Sequence, residues 1–279
     1  MPMLAPREIP LGGKMSNGFY DAGAAGYDQI FGFASREFVP TLLRLARLAP
    51  GQRVLDVATG TGIAAEAASE VVGPTGFVVA ADISVPMLDQ ARERLSGLAN
   101  ISFTVENGQA LNLPEANFDT VLCSMGLMMF PDHAKGLSEF HRVLKNDGRA
   151  AVSVNTAPER AIHGRVRAAI VRYMPPKAAA EAHHFSLGDE RTLRTLFEAI
   201  GFREIETTRE VRHFTFPSFD AFFDPIEEGV GYMGQEFITL PLEVRRRVRE
   251  DLRSDFEGLG RPGAPITLPL EVTFGSGRN

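Results

Sequence analysis

Residues 54–68 read VLDVATGTGIAAEAA. An apolar run closes on Asp56, a loop of small residues carries Gly60 and Gly62, and an alanine-rich stretch follows at once. Such a pattern predicts strand, tight turn and helix, with the alanines placed where the helix must lie close to a sheet. Taken literally, Gly60-Thr61-Gly62-Ile63-Ala64-Ala65 satisfies G-x-G-x-x-A, a weak signal by itself. It gains weight from Asp82, which stands 20 residues past Gly62 at the end of a second apolar run, FVVAAD. A carboxylate at that point meets the two hydroxyls of a ribose, so strand, turn, helix, strand and acid together point to an adenosine-type ligand.

Outward from this stretch the chain alternates. REFVPTLLRLARLAPG (36–51) spaces its apolar residues as a helix does and stops at Pro-Gly. Past the glycine turn, the helix from 63 to about 72 ends at Gly73, with Pro74 blocking its continuation. SVPMLDQARERLSGL is a helix opened by Ser84 as N-cap, ISFTVE a third strand, FDTVLCSMG a fourth, AKGLSEFHRVLKNDG a helix and RAAVSVN a fifth strand. Strands alternating with helices from about 52 to 155 predict an α/β fold, a doubly wound and mostly parallel sheet covered on both faces. Later come a capped amphipathic helix at 189–202, an alternating strand REIETTREVRHFTF and a last strand ITLPLEVTFGSG. The expected organisation is a flexible extension over 1–19 and a core over 20–216 with an insertion at 156–188. A helical insertion at 217–262 and a terminal strand of the core sheet over 263–279 complete it. The two insertions are expected to form a helical lid.

The glycine turn alone leaves the ligand open. Dinucleotide folds carry their first glycine at the strand end, because a pyrophosphate sits over the helix N-terminus. Here Asp56 occupies that end, and a carboxylate repels phosphate while accepting hydrogen bonds from an ammonium. The segment 106–132, ENGQALNLPEANFDTVLCSMGLMMFPD, adds a polar turn after the third strand, then Leu113-Pro114 and Phe118-Asp119 leading into the fourth.

With these motifs in order, the chain resembles the class I S-adenosylmethionine-dependent methyltransferases, in the branch that includes ubiquinone and menaquinone C-methyltransferases. The resemblance runs from about 20 to 216, with the terminal strand added. The family's acid-x-Gly-x-Gly-x-Gly is matched by Asp56, Ala58, Gly60 and Gly62, with alanine in place of the first glycine. Its Gly-Asp-Ala after strand three is Gly108-Gln109-Ala110 here, where Gln109 offers an uncharged amide oxygen to an adenine amino group. Tyr27-Asp28 is similar to the family's tyrosine over the cofactor. EFHRVLKNDGRAAVSV is similar to its Glu-x-x-Arg-Val-Leu-Lys-x-Gly-Gly, with Asp147-Gly148 replacing the glycine pair.

The resemblance implies a seven-stranded sheet of order 3-2-1-4-5-7-6 whose last strand is antiparallel. It also implies S-adenosylmethionine as cofactor, held by Tyr27, Asp56, Ala58, Thr59, Gly60, Gly62, Asp82, Ile83, Met87, Gly108, Gln109, Ala110 and Ser124. Asp56 suits the amino group, the glycine backbone the methionine moiety and Asp82 the ribose, while Ile83, Met87 and Leu111 are of a kind to sandwich adenine. The acceptor is expected to be a small, mostly apolar or aromatic molecule, with Tyr20, Met125, Met128 and His184 as candidate contacts.

In-line methyl transfer rests on positioning and desolvation, and a base is needed only if the acceptor must lose a proton. No catalytic residue and no metal site is assigned. Candidate bases or contacts are His133, His163, His183, His184 and Tyr20, whereas His141 reads as structural. Phe214, Phe216, Phe219, Phe222 and Phe223 either line an apolar pocket with Met125, Met128 and Met129 or form the core of the insertion, the second reading being preferred for Phe222 and Phe223. RRRVRE (245–250) reads as a solvated helix face above an apolar stripe of Leu242, Val248 and Leu252.

A net charge of −6 over 279 residues, with that arginine run surrounded by acids, argues against duplex nucleic acid as a partner. The single cysteine, Cys123, fits a reducing compartment and reads as a buried strand residue. No apolar run reaches the length of a membrane span, and MPMLAPREIPLGGK lacks the apolar core of a signal peptide, so a cytoplasmic location is expected. Oligomeric state is not legible. Two rival readings stay open: an NAD-dependent oxidoreductase on G-x-G-x-x-A, and a cofactor-binding protein without transfer on the departures at Ala58, Gln109 and Asp147.

Overall fold

Strand β1 (Arg53–Val57) is buried on both sides, and its neighbouring residues Val54 and Leu55 feed two different apolar cores. A strand with both faces covered needs apolar residues at successive positions, which is why this stretch reads as a continuous run. The computed structural model describes residues 18–28, 32–257 and 263–279. The expected extension lies outside the described residues up to 17, and so do residues 258–262 of the second insertion.

Among the described residues seven strands form one sheet, in the order β3-β2-β1-β4-β5-β7-β6. Beside β1 these are β2 (Phe77–Asp82), β3 (Ile101–Val105), β4 (Phe118–Ser124), β5 (Leu144–Asn155), β6 (Arg203–Phe216) and β7 (Ile266–Arg278). Strands β1 to β5 pair in parallel, and β7 runs antiparallel to both β5 and β6. The expected order and the reversed last strand are both present.

The helices before the first sheet crossing are α1 (Gly18–Gly23), α2 (Phe33–Arg36) and α3 (Val39–Leu45), so the expected 36–51 helix is shorter and split. The glycine turn opens α4 (Ile63–Val72), which stops at Gly73, φ +64. Helix α5 (Val85–Arg94) begins at Ser84, whose side chain accepts from Met87 N, and α6 (His133–Val143) at Asp132, which accepts from Lys135 N. Helices α3 and α4 pack on one face of the sheet, and α6 and α9 (Glu190–Ile200) on the other. The expected helix through 148 ends five residues early, because Leu144 already joins β5. Asp147 takes φ +68 inside this strand and pairs with Arg278, 2.7 Å away.

Residues 156–188 contain α7 (Gly164–Tyr173) and α8 (Ala178–His184), and residues between β6 and β7 contain α10 (Phe219–Glu227), α11 (Gly231–Ile238) and α12 (Leu242–Glu257). Helix α12 packs on α7, and α11 on α1. Val248 and Leu252 are buried, but Leu242 is 68% exposed and lies off the expected stripe. No described helix is long and apolar enough to cross a membrane.

Candidate active site

Strand order reverses between β1 and β4, since the chain winds outward through β2 and β3 on one side and through β4 and β5 on the other. Loops at the carboxyl ends of these strands diverge at such a point and leave a crevice. Two adjoining cavities occupy it, and Tyr27, Met125 and Met129 line both.

The first cavity lies over β1 and β2. Of the expected cofactor residues it gathers Tyr27, Ala58, Gly60, Asp82, Ile83, Met87, Gly108, Gln109 and Ser124. Glu106, Asn107, Gly126, Met129 and Phe130 complete much of the wall. Among the described residues no lysine or arginine lines it, while two carboxylates, Asp82 and Glu106, do.

The glycine turn is held by internal hydrogen bonds. Thr59 N donates to Ala81 O at 3.0 Å, Gly62 N to Thr59 O at 2.9 Å, and Gly60 N to Asp82 Oδ2 at 2.8 Å. The other Asp82 oxygen accepts from Ser84 N at 2.9 Å. Ala58 and Gly60 both take φ +56, and the glycine has open space where a side chain would stand. A left-handed alanine carries strain that glycine avoids. A nest that cradles phosphate needs its amides free. Here three of them are already spent.

Asp56 is placed differently from its expected role. It is fully buried behind the turn and does not line the cavity. Its Oδ2 accepts from Thr59 Oγ1 at 2.6 Å, and the backbone of Ala65 at the start of α4 also donates to the carboxyl group. Burial pushes its carboxyl up to about 7; the Thr59 hydroxyl opposes this and the Asp82 charge adds to it. Burial also raises Asp82, against the pull of the amides it accepts. Thr59 is buried under the turn, and Gly62 packs against Leu95.

Gln109 is likewise engaged. Its Oε1 accepts from Asp132 N at 2.8 Å, bracing the loop after β3 against the loop after β4, so the amide oxygen expected to meet an adenine amino group already has a donor. Ala110 closes that loop by donating to Asn107 O at 2.8 Å and is off the cavity wall. Leu111 is core rather than wall. At Gly108 a side chain would run into the Phe130 ring and meet Val57 Cγ1 at 2.9 Å, so glycine lets the loop close on the aromatic wall.

Tyr27 arrives from the segment after α1. Burial, together with the Asp82 and Asp28 carboxylates, pushes its phenol up to about 12, and a hydrogen bond with the Ser35 side chain opposes the rise. Neighbouring Asp28 accepts from Thr61 Oγ1 at 2.6 Å and pairs with Arg94 at 3.1 Å, which clips this segment to the glycine turn.

The second cavity lies over β4 and β5, beneath α7, α8 and α11. It brings together Met125, Met128 and His184 of the expected acceptor contacts, with His163, Asn155, Arg167, Phe185, Tyr232 and Met233. The Tyr20 side chain lies outside the described residues. Burial, with the nearby Arg167 charge, holds both His163 and His184 down to about 3, so both imidazoles are neutral. His133 and His183 stack on each other at 4.2 Å outside both cavities, and His141 packs edge-on against Phe202. Phe219, Phe222 and Phe223 belong to the main core with Phe237 and Phe256, while Phe214 and Phe216 pack on Phe33. None of the five lines the cavity; methionines and tyrosines do. Cys123 is fully buried, which pushes its thiol up. Among the described residues no three His, Cys, Asp or Glu side chains cluster as a metal site.

The sheet order is that of the methyltransferase fold, and residues 54–148 match the family described as a methyltransferase domain. Among individual proteins, the chain is 36% identical over 154 residues to the ubiquinone/menaquinone biosynthesis C-methyltransferase UbiE of Hydrogenovibrio crunogenus, covering 52% of this chain and 61% of that one. The UbiE of Escherichia coli O1:K1 is 42% identical over 105 residues, covering 37% of this chain and 42% of that one. The chain therefore spans less than two thirds of the length of these relatives. The crystal structure of the YcgJ protein from Bacillus subtilis has a TM-score of 0.60 at 18% identity, covers 87% of this chain and 98% of that one, and shares the fold.

Proposed function

We propose that the chain binds S-adenosylmethionine in the first cavity and transfers its methyl group to a small, mostly apolar acceptor in the second. One observation carries the reading: the glycine turn spends three amides on neighbouring backbone and on Asp82, in a cavity that among the described residues has two carboxylates and no lysine or arginine. Such a site repels a pyrophosphate and suits a phosphate-free adenosine ligand that bears positive charge. This disfavours an oxidoreductase that binds NAD.

The residues present fit that ligand. Asp56 supplies negative charge behind the turn once it ionises, as pH rises through about 7, and Asp82 keeps lone-pair capacity beside the amides of Gly60, Ser84 and Ile83. Each carboxylate oxygen accepts more than one hydrogen bond, so holding the turn does not prevent holding a ribose. Ile83, Met87 and Phe130 offer flat apolar surface, and Gly108 lets that surface close. When bound, the cofactor supplies an electrophilic methyl group on a sulfonium. Tyr27, Met125 and Met129, on both walls, exclude water from the junction and align what lies on either side. The methionine lining favours an apolar acceptor of modest size over nucleic acid.

Isothermal titration with S-adenosylhomocysteine and with NADH tests the assignment. Binding of the first and not the second is expected. The reverse, or affinity unmoved by Asp82→Ala, overturns it.

A further inference from the structure

The second cavity is largely apolar, and among its described wall residues one carries a buried hydrogen-bonding atom left unsatisfied. Asn155, at the carboxyl end of β5, lines it, and the Asn155 Oδ1 is buried without a partner. Its Nδ2 lies 3.1 Å from His184 Nε2. An amide nitrogen only donates, so this His184 nitrogen accepts and the ring proton sits on Nδ1. The neutrality of His184 agrees with that tautomer. The backbone of Asn155 is fixed as well: its N–H points to Met128 Sδ at 3.2 Å, and the residue pairs with Val272 of β7. The backbone bonds fix the strand beneath the side chain, the His184 contact holds the amide, and the side-chain carbonyl is the part left over.

A buried carbonyl without a donor is costly, and natural proteins keep few of them unless a ligand or water completes the bond. The charge nearby says which donor fits. Arg167 on the cavity wall is matched by Glu181, to which it bonds directly, and by Glu236 at 3.6 Å. Lys177 pairs with Glu236 at 2.7 Å. This cluster is balanced and stays within the helices, so a charged acceptor finds no counter-ion to spare. The complement of a lone carbonyl in an apolar wall is a neutral hydroxyl.

We infer that Asn155 is a specificity-determining residue: its side-chain carbonyl, positioned by His184, takes a hydrogen bond from a neutral hydroxyl on an otherwise apolar aromatic acceptor. The inference rests on the proposed use of the second cavity as the acceptor site and adds what that site reads.

Three probes of nearly equal shape test it: 1-naphthol, 1-methoxynaphthalene, which lacks the donor, and 1,4-naphthoquinone, which offers only carbonyls. Binding to the full chain is measured with and without saturating S-adenosylhomocysteine. Naphthol is expected to bind about tenfold more tightly than the ether, the size of one net hydrogen bond. Asn155→Ala and the nearly isosteric Asn155→Leu bring that ratio to about one. A residue that merely supports the wall weakens all three probes alike and leaves the ratio unchanged. A wild-type ratio near one, a ratio surviving both substitutions, or preference for the quinone overturns the inference. The wild-type ratio stands even if a variant fails to fold. Failure of S-adenosylhomocysteine to bind counts against the methyltransferase reading, while the probe ratio without it still reports on Asn155.

Discussion

Replacing Asp56 by asparagine separates folding from ligand binding in one residue. In the unfolded chain its carboxyl titrates near 4, whereas burial in the folded chain raises it to about 7. The folded state therefore prefers the protonated form. Its contribution to stability is complete below about pH 4 and is lost as pH rises through about 7. Ionising the folded side chain costs about 4 kcal/mol in all, and about 3 kcal/mol of that falls between pH 5 and pH 8. Asparagine keeps an oxygen for the Thr59 hydroxyl and carries no charge to desolvate. Wild type should thus lose about 3 kcal/mol relative to Asp56→Asn across this window, roughly 5 °C in melting temperature for a chain of this length. Thermal melts of both proteins at pH 5 and pH 8, in buffers of low ionisation enthalpy, measure it. Affinity should move the other way: S-adenosylhomocysteine keeps the ammonium, so wild type binds it more tightly as Asp56 ionises, and the variant shows no such rise. Parallel melting curves for the two proteins would refute the reasoning.

Four further outcomes are expected. Asp82→Asn should weaken S-adenosylhomocysteine about 30-fold, or about 2 kcal/mol, because the new amide nitrogen faces either Gly60 N or Ser84 N, both donors; titration calorimetry reads this. Ala58→Gly should leave stability to chemical denaturation within about 1 kcal/mol of wild type, since relief of a left-handed alanine offsets the entropy glycine adds to the unfolded chain. At the same position Ala58→Val should cost at least about 2 kcal/mol, its branched side chain meeting the same φ. Gly108→Ala should displace the Phe130 ring, lowering stability by about 1–3 kcal/mol and ligand affinity by about tenfold.

The elements around Asp56, Gly60 and Asp82 were legible because strand, turn and acid lie close together in sequence, where period and spacing carry the signal. Strand order was not legible in that way. It depends on long-range pairing, and it entered through resemblance to a family. The helix ending at Val143 instead of 148 shows a local limit: Asn146-Asp147-Gly148 reads as a helix stop, yet a left-handed Asp147 lets the same residues run inside an extended strand. Asp56 itself was legible as an acid at a strand end, but whether it faces ligand or stands behind the turn is fixed by the hydroxyl of Thr59. The preference of Phe222 and Phe223 for the core holds, while for Phe214, Phe216 and Phe219 the spacing leaves pocket and core open, because an aromatic residue is placed alike for a pocket wall and for a core. Asn155, Arg167 and Tyr232 come from three separate segments, so no spacing links them. Phe130 and Met129 did carry a signal, in GLMMFPD directly after the fourth strand.

Tyr27 forms part of the partition between the two cavities. Its segment is clipped by Asp28 to the glycine turn, and its neighbour Gly23 lies flush against the backbone of Gly231 at the start of α11. If the two chambers are filled as proposed, a molecule that packs on this phenol from one side has already met part of the cost of ordering the partition for the other. Linkage makes that advantage mutual, so whichever guest arrives second is held more firmly, and by the same factor in either order.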